Sequence, residues 1–321
     1  MPYRCLVIGA GSAGAFRDEG SHGRAYAEHP ACQLLGFFDI NTRQARKAAQ
    51  QYQCRFFKSL TEALGGNPDI VSVTVHQNDR KQIFKKICAA ASVKVIYCEK
   101  PLAESAQEAL NIVRLCRNNG KRLYVNYQRR ANTTYQQLAR DLKGKKYGSV
   151  QNVIMTYTRG MWTNASHFVD LSLMLFGRPQ WVMAQRSPVP SPYQGDPNAT
   201  ILLGYKDFHV HLVPLLSWDK GYYTGDLDLR FGRGRLFIPS VLHYKSKDVK
   251  QWIVKEKVLQ AIKPRLTLSR PKNDFLKMLK SIIEDLKRGR RETLDPQEAV
   301  WSVRVLELAQ QSMQINARVN C

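Results

Sequence analysis

Within the first fifteen residues an apolar strand, Cys5-Leu6-Val7-Ile8, runs straight into the turn Gly9-Ala10-Gly11-Ser12-Ala13-Gly14. No other feature restricts the fold as strongly, because a Gly-x-Gly-x-x-Gly turn between a strand and a helix belongs to a doubly wound sheet that cradles phosphates. Gly9 permits the tight turn, Gly11 lets the backbone approach a pyrophosphate, and Gly14 allows strand and helix to pack closely. The backbone N–H groups around Ser12 and Ala13 are then available to the phosphates. A second strand, Gln33 to Phe38, ends in Asp39, 25 residues after Gly14, where a carboxylate accepts from ribose hydroxyls. That spacing is slightly long, and residues 15–23 account for it as a small insertion before the helix resumes.

Strand and helix patterns alternate through residue 126: strands at 4–8, 33–39, 54–57, 70–74, 93–97 and 122–126, helices at 23–29, 42–52, 60–64, 79–91 and 105–119. Short connections between such elements imply a parallel sheet. From about residue 148 the grammar changes. Segments at 150–157, 208–212, 227–231 and 236–238 alternate apolar and polar residues, and Gly232-Arg233-Gly234 reads as the turn of an antiparallel hairpin. Helices are expected at 166–176, 272–288 and 296–315, and the prolines at 188, 190, 192 and 197 mark a loop.

Composition narrows the class. With 44% hydrophobic and 10% aromatic residues the 321-residue chain is globular, and it is long enough for two domains. No apolar run reaches the length of a membrane span. Removing a leader would destroy the glycine turn, so a cytoplasmic location is expected. Seven scattered cysteines with no Cys-x-x-Cys pair suit buried thiols in a reducing compartment, not a zinc site. His209 and His211 share a strand face, but no third ligand accompanies them, and no metal is expected. The 49 basic against 26 acidic residues give a net charge of +23, a field that favours anions. Residues 241–291 hold fifteen Lys or Arg against five acidic residues, along Lys245, Lys247, Lys250, Lys255, Lys257, Lys263 and Arg265. No nucleic-acid motif accompanies this run, so a solvated face or attraction of an anionic substrate is expected rather than nucleic-acid binding.

Ligands of open α/β sheets bind beyond the carboxyl ends of the strands. Four polar segments fall there: the glycine turn, Asp39, Thr74 to Asn78 with Val75, His76 and Gln77, and Glu99-Lys100-Pro101. Together with the later His167-x-x-Asp170, these residues make the chain resemble the Gfo/Idh/MocA family of NAD(P)-dependent oxidoreductases. Val125-Asn126-Tyr127-Gln128-Arg129-Arg130 resembles the family's junction into its second domain, and Thr293-Leu294-Asp295-Pro296 resembles its entry into the final helix. The stretch from Tyr157 to Asp170 is similar to members linked to nucleotide-sugar and surface-polysaccharide biosynthesis.

The resemblance implies a Rossmann domain over 1–126 and an α+β domain over 127–321 with a large, mostly antiparallel open sheet that binds substrate and builds a homodimer or homotetramer. It implies hydride transfer between a nicotinamide cofactor and a sugar carbon, with Lys100 at the reacting oxygen and His167 as a second proton donor or acceptor. The implied cofactor contacts are Gly9, Gly11, Ser12, Ala13, Gly14, Asp39, Arg43, Val75, His76, Gln77, Glu99, Lys100 and Gln128. Asp39 repels a 2′-phosphate, so NAD is favoured, while Arg43 one turn on leaves room for NADP. For substrate the implied contacts are Lys100, Arg129, Arg130, Tyr157, Arg159, Trp162, Asn164 and His167, with the arginines suited to the diphosphate of a nucleotide sugar. The bond before Pro101 is expected to be cis. Two departures stand out: Thr163 occupies the position where many members carry an Asp, and Val75-His76-Gln77 replaces Thr-Pro-Asn. In the first case Asn164 is expected to bond substrate or cofactor and Asp170 to orient the imidazole. Two further readings stay open at this stage: a dehydrogenase of a free sugar, inositol or other polyol, and a non-catalytic NAD-binding sensor.

Overall fold

The computed structural model describes residues 1–18, 20–215, 225–239, 241, 249–266, 274–290 and 294–321; of the residues singled out above, Lys245, Lys247 and Thr293 lie outside them. The chain forms two compact units, Met1–Ala131 with Pro271–Val300 and Asn132–Arg270 with Trp301–Cys321. A single division at residues 126 and 127 therefore does not describe it, since a segment expected in the second domain clusters with the first.

The first unit alternates β1 (Tyr3–Ile8), α1 (His22–Glu28), β2 (Cys32–Phe38), α2 (Thr42–Gln51), β3 (Arg55–Phe57), α3 (Leu60–Gly65), β4 (Ile70–Val73), α4 (Arg80–Ala89), β5 (Val95–Cys98), α5 (Ala106–Asn118) and β6 (Arg122–Val125). Serine and asparagine side chains start the helices, as Ser21, Asn41, Ser59 and Ser105 each accept an N–H from the first turn. The strands pair in parallel in the order β3-β2-β1-β4-β5-β6. β4 and β5 are buried along their whole length, as expected of strands covered on both faces. Strand order reverses between β1 and β4, and the glycine turn and Thr74 follow these two strands. That crevice is where such sheets bind ligands.

In the second unit α6 (Thr133–Lys143) is followed by β7 (Val150–Tyr157), α7 (Ser166–Phe176), β8 (Trp181–Arg186), β9 (Ala199–Gly204), β10 (His209–Pro214), β11 (Leu227–Phe231), β12 (Gly234–Ile238), β13 (Lys250–Lys255) and β14 (Val258–Ile262). These strands and the C-terminal β15 (Val319–Asn320) form a nine-stranded sheet, β14-β13-β12-β11-β7-β10-β9-β8-β15. Every pairing is antiparallel except β7 with β10. One face carries the core, where Val153, Met155, Val210, Leu212, Leu229 and Leu236 pack with Phe168 and Leu171 of α7. The hairpin predicted at Gly232-Arg233-Gly234 joins β11 and β12.

α8 (Asp274–Lys287) accounts for the interleaving of the units. Its apolar face, Phe275, Met278, Leu279, Ile282 and Ile283, is buried in one core with Ala25 and Tyr26 of α1. Its Asp285 accepts from the Tyr124 hydroxyl at 2.8 Å. α9 (Pro296–Ile315) follows.

Candidate functional site

The glycine turn is as tight as its sequence requires. A Cβ at Gly14 would sit 2.0 Å from the Gly9 carbonyl oxygen, whereas one at Gly11 meets nothing within 4 Å. Gly14 is thus needed for packing, and the space above Gly11 suits the close approach of a phosphate. Thr74 closes the turn by donating its hydroxyl to the Gly9 carbonyl at 2.7 Å. Asp39 follows β2, where its Oδ2 accepts from Ala10 N at 2.6 Å and its Oδ1 from Asn41 N at 2.7 Å. Those two bonds hold the carboxylate at the glycine turn. His76 and Arg43 are exposed, Val75 and Gln77 half-buried, and all four follow β4 or begin α2. The cradle, the fixed carboxylate and the switch point together fit a dinucleotide.

Glu99 and Lys100 directly follow β5, and the Lys100–Pro101 bond is cis, as expected. The turn is anchored from below by a buried polar network. His22, wholly buried, places Nε2 3.1 Å from Glu99 Oε1 and Nδ1 2.8 Å from Ser72 Oγ. Tyr26 reaches the same serine at 2.6 Å. Asn126 donates Nδ2 to Glu99 Oε1 at 2.6 Å and accepts from the Tyr97 hydroxyl at 2.6 Å. Glu99 Oε2 accepts the Lys100 backbone N–H at 3.3 Å. Burial by itself would raise the Glu99 carboxyl, but the donors His22 and Asn126 and the nearby Arg17 outweigh it and hold the group at about 2. Burial lowers His22 in spite of Glu99, so the imidazole is neutral near pH 7 and Nε2 carries the hydrogen given to the carboxylate. Glu99 therefore spends both oxygens inside the protein and supports Lys100 instead of reaching outward.

Arg80 braces the same turn from the α4 side. Its guanidinium, 2% exposed, donates to the Val75 carbonyl from Nε at 3.1 Å and Nη2 at 2.9 Å. Nη1 donates to the carbonyls of Glu99 at 2.6 Å, of Leu102 at 3.2 Å and of Pro101. One residue thus ties the end of β4 to the turn carrying Lys100, which is itself half-buried. Neither His22 nor Arg80 was singled out from sequence. A histidine and an arginine on otherwise polar helix starts carry no periodic signal, and only the fold brings them to Glu99.

After β6, Gln128 and Arg130 are half-buried, Arg129 is buried, and Arg130 Nη2 lies 3.4 Å from Glu298 Oε2. In the second unit, β7 delivers the segment leading to His167. Tyr157 corrects an expectation here: it is wholly buried, and its hydroxyl donates to the Ala199 carbonyl at 2.6 Å and accepts Ala199 N at 2.8 Å. It knits β7 to β9 and is not a substrate contact. Asn164 is also buried and donates its amide to the Thr158 carbonyl at 2.7 Å, so this donor is held within the turn.

A carboxylate from a distant segment caps the turn at Thr163. Asp196, in the proline-marked loop, accepts Trp162 N at 2.7 Å and Thr163 N at 2.9 Å. A Cβ at Gly160 would lie 2.3 Å from Asp196 Oδ2, and Gly160 has φ +86°, so only glycine fits. Arg159 precedes it at φ +68°, a strained backbone for a side-chain-bearing residue, and is half-buried like Trp162 and His167. Asp170, one turn after His167, is buried and accepts from the Ser302 hydroxyl at 3.1 Å. On β10, His209 and His211 have ring centroids 6.3 Å apart, and His211 bonds Asn152. Among the described residues no three His, Cys, Asp or Glu side chains are placed to hold a metal ion, and no helix is long and apolar enough to cross a membrane.

Known proteins resemble this chain in sequence and in fold. Residues 3–127 match GFO_IDH_MocA, described as an oxidoreductase family with an NAD-binding Rossmann fold. An inositol 2-dehydrogenase of Gluconacetobacter diazotrophicus is 29% identical over 211 residues, covering 59% of this chain and 61% of that protein's length. The WlbA dehydrogenase of Bordetella pertussis, solved in complex with NADH and UDP-GlcNAcA, superposes with a TM-score of 0.81 at 17% identity, over 100% of this chain and 98% of that one. The UDP-N-acetylglucosamine 3-dehydrogenase GnnA of Acidithiobacillus ferrooxidans gives 0.78 at 17% identity, over 98% and 99%. At such identities the two structures speak for the fold.

Proposed function

Because residues 3–127 match the model of the Gfo/Idh/MocA oxidoreductase family with its NAD-binding Rossmann fold, we propose that the chain is a member of that family and an NAD-dependent dehydrogenase or reductase acting on a CH–OH carbon of a nucleotide-activated sugar. The observation that carries this reading is the bracing of Lys100. A lysine at the end of a strand, fixed by a buried carboxylate beneath and a buried guanidinium beside it, is costly to build and serves to present one amine at the ligand-binding edge.

The glycine turn, Asp39 and the ends of β4 and β5 would hold NAD, whose nicotinamide accepts or returns two electrons and a hydrogen when bound. Asp39 favours NAD over NADP through its repulsion of a 2′-phosphate. The protein's own residues manage the proton. Lys100 donates to or accepts from the substrate oxygen, because an alcohol becoming a carbonyl must lose its O–H hydrogen. His167 is the second candidate to hold that proton. Glu99, His22 and Arg80 do not touch substrate and act by keeping Lys100 in place. Arg159 serves the anionic part of the substrate.

A polyol substrate is the second reading, favoured by the 29% identity to an inositol 2-dehydrogenase. The chain covers less than two thirds of that relative, so neither reading rests on it alone. The two are separated by following NAD and NADP reduction with UDP-, GDP-, dTDP- and CMP-linked sugars beside inositol and the matching free sugars. Turnover confined to one nucleotide sugar, with a KM that rises as salt is added, is the expected result. Turnover of inositol or free sugars alone overturns the nucleotide-sugar reading. Tight cofactor binding with no turnover of any of them overturns catalysis on sugars.

A further inference from the structure

We propose that the second unit carries a separate site for a small phosphate monoester, in a cleft at the end of the sheet opposite His167. The cleft, about 170 Å³ in volume, is lined by Tyr147, Gly234, Ile253 and Ile262, with Lys146, Arg233 and Arg265 around it. Its position separates it from the chemistry described above. Tyr147 and Lys146 precede β7, whereas Arg159 and His167 follow it, and the eight residues of that strand span about 25 Å.

Local structure explains why a hollow exists here. Gly234 pairs with Ile253 across β12 and β13, and Gln251 pairs with Ile262 across β13 and β14. Gly234 has no side chain to fill the face it shares with Ile253. A Cβ there would lie 2.4 Å from the Trp252 carbonyl oxygen, so the floor cannot be filled by a small substitution. The stacked rings of Tyr147 and Phe231, 5.1 Å apart, close one side.

The charges come from three separate stretches of chain. Arg233 sits in the β11–β12 turn, with its side chain laid across Gly148, where a Cβ would come 3.2 Å from its Nε. The backbone N–H of Arg265 is held by the buried Gln251 Oε1 at 3.0 Å. Lys146 pairs with Asp141 at 2.8 Å, and Asp141 also takes the Tyr147 hydroxyl at 3.1 Å. Burial and Asp141 push the Tyr147 hydroxyl up to about 12, with the Arg265 guanidinium pulling the other way. Among the described residues no carboxylate lines the cleft, and neither Arg233 nor Arg265 makes an ion pair. Two unpaired guanidinia around a small hollow suit the oxygens of a phosphate, which they bond in bidentate fashion. The isoleucine and tyrosine walls suit a small apolar body attached to it. Part of the excess positive charge, otherwise without a role, is thereby used.

The test is calorimetric titration of the full chain in chloride buffer with saturating NADH, which keeps phosphate away from the glycine turn. Phenyl phosphate and inorganic phosphate are the probes. The proposal expects one phenyl phosphate per chain and inorganic phosphate at least about tenfold weaker. Arg233→Ala with Arg265→Ala should weaken phenyl phosphate about tenfold or more, while Lys85→Ala with Lys86→Ala, which removes the same charge from exposed positions of α4, leaves it within about twofold. Equal weakening by both pairs, inorganic phosphate binding as tightly as the ester, or no saturable binding at millimolar ester each overturns it.

Discussion

The turn that carries Lys100 and the turn that leads to His167 are both held by a buried carboxylate, but the carboxylates arrive by different routes. Glu99 is the immediate neighbour of Lys100 and is fixed by side chains from α1 and from the residue after β6. Asp196 lies more than thirty positions from Trp162 and Thr163 and binds their backbone N–H groups directly. The first arrangement places a charge inside a ring of side-chain donors, and the second uses a charge to cap a strained backbone. A buried anion that loses one donor keeps its desolvation cost, whereas a backbone turn that loses its anion can turn its N–H groups to water.

His22→Leu should produce the largest effect. It leaves Glu99 without its imidazole donor and should lower unfolding stability by about 3 kcal/mol, read from urea midpoints. Asp196→Ala should cost less, about 2 kcal/mol, and the reverse order would break the contrast. Acidity sharpens it next. His22 is held below its unfolded value near 6.5, so its contribution is complete above that pH and is lost as pH falls below it. Glu99, depressed to about 2, adds a loss that begins near pH 4.3 and continues downward. His22→Gln should remove the first phase and keep the second, as measured by urea unfolding from neutral pH down to about pH 3. The smallest effect is expected at Thr163. Thr163→Asp sets a second carboxylate near Asp196 and should cost about 1 kcal/mol, a penalty that disappears in an Asp196→Asn background if the two carboxylates share the turn. Additive melting shifts would show that they do not.

The same contrast marks how far the sequence could be read. Strand and helix alternation in the first unit was legible because each parallel strand is a short apolar run bounded by turn residues, and the boundaries of β1, α1 and β7 agree with the structure to within a residue. The glycine turn and Asp39 were legible because a strand end and its turn are contiguous in sequence, and the cis bond at Lys100 followed from the family resemblance. The large second sheet was expected from the resemblance, but two of its strands were not legible. β14 is exposed at nearly every position and so shows no alternation, and β9 reads as an apolar run flanked by a proline-marked loop. Tyr157 looked like a substrate contact because its neighbours in sequence are candidate ligands, while its true partner is Ala199 on another strand. Asp196, His22 and Arg80 were hidden for the same reason: each acts on residues far away in the chain.

Lys100→Met tests the central claim most directly, with turnover of the substrate found in the sugar panel and NADH binding measured side by side. The account predicts that turnover falls about a thousandfold while the NADH dissociation constant stays within about threefold. Turnover within tenfold of the unmodified chain would contradict it, because the network built around Glu99 would then be holding a lysine that the reaction does not use.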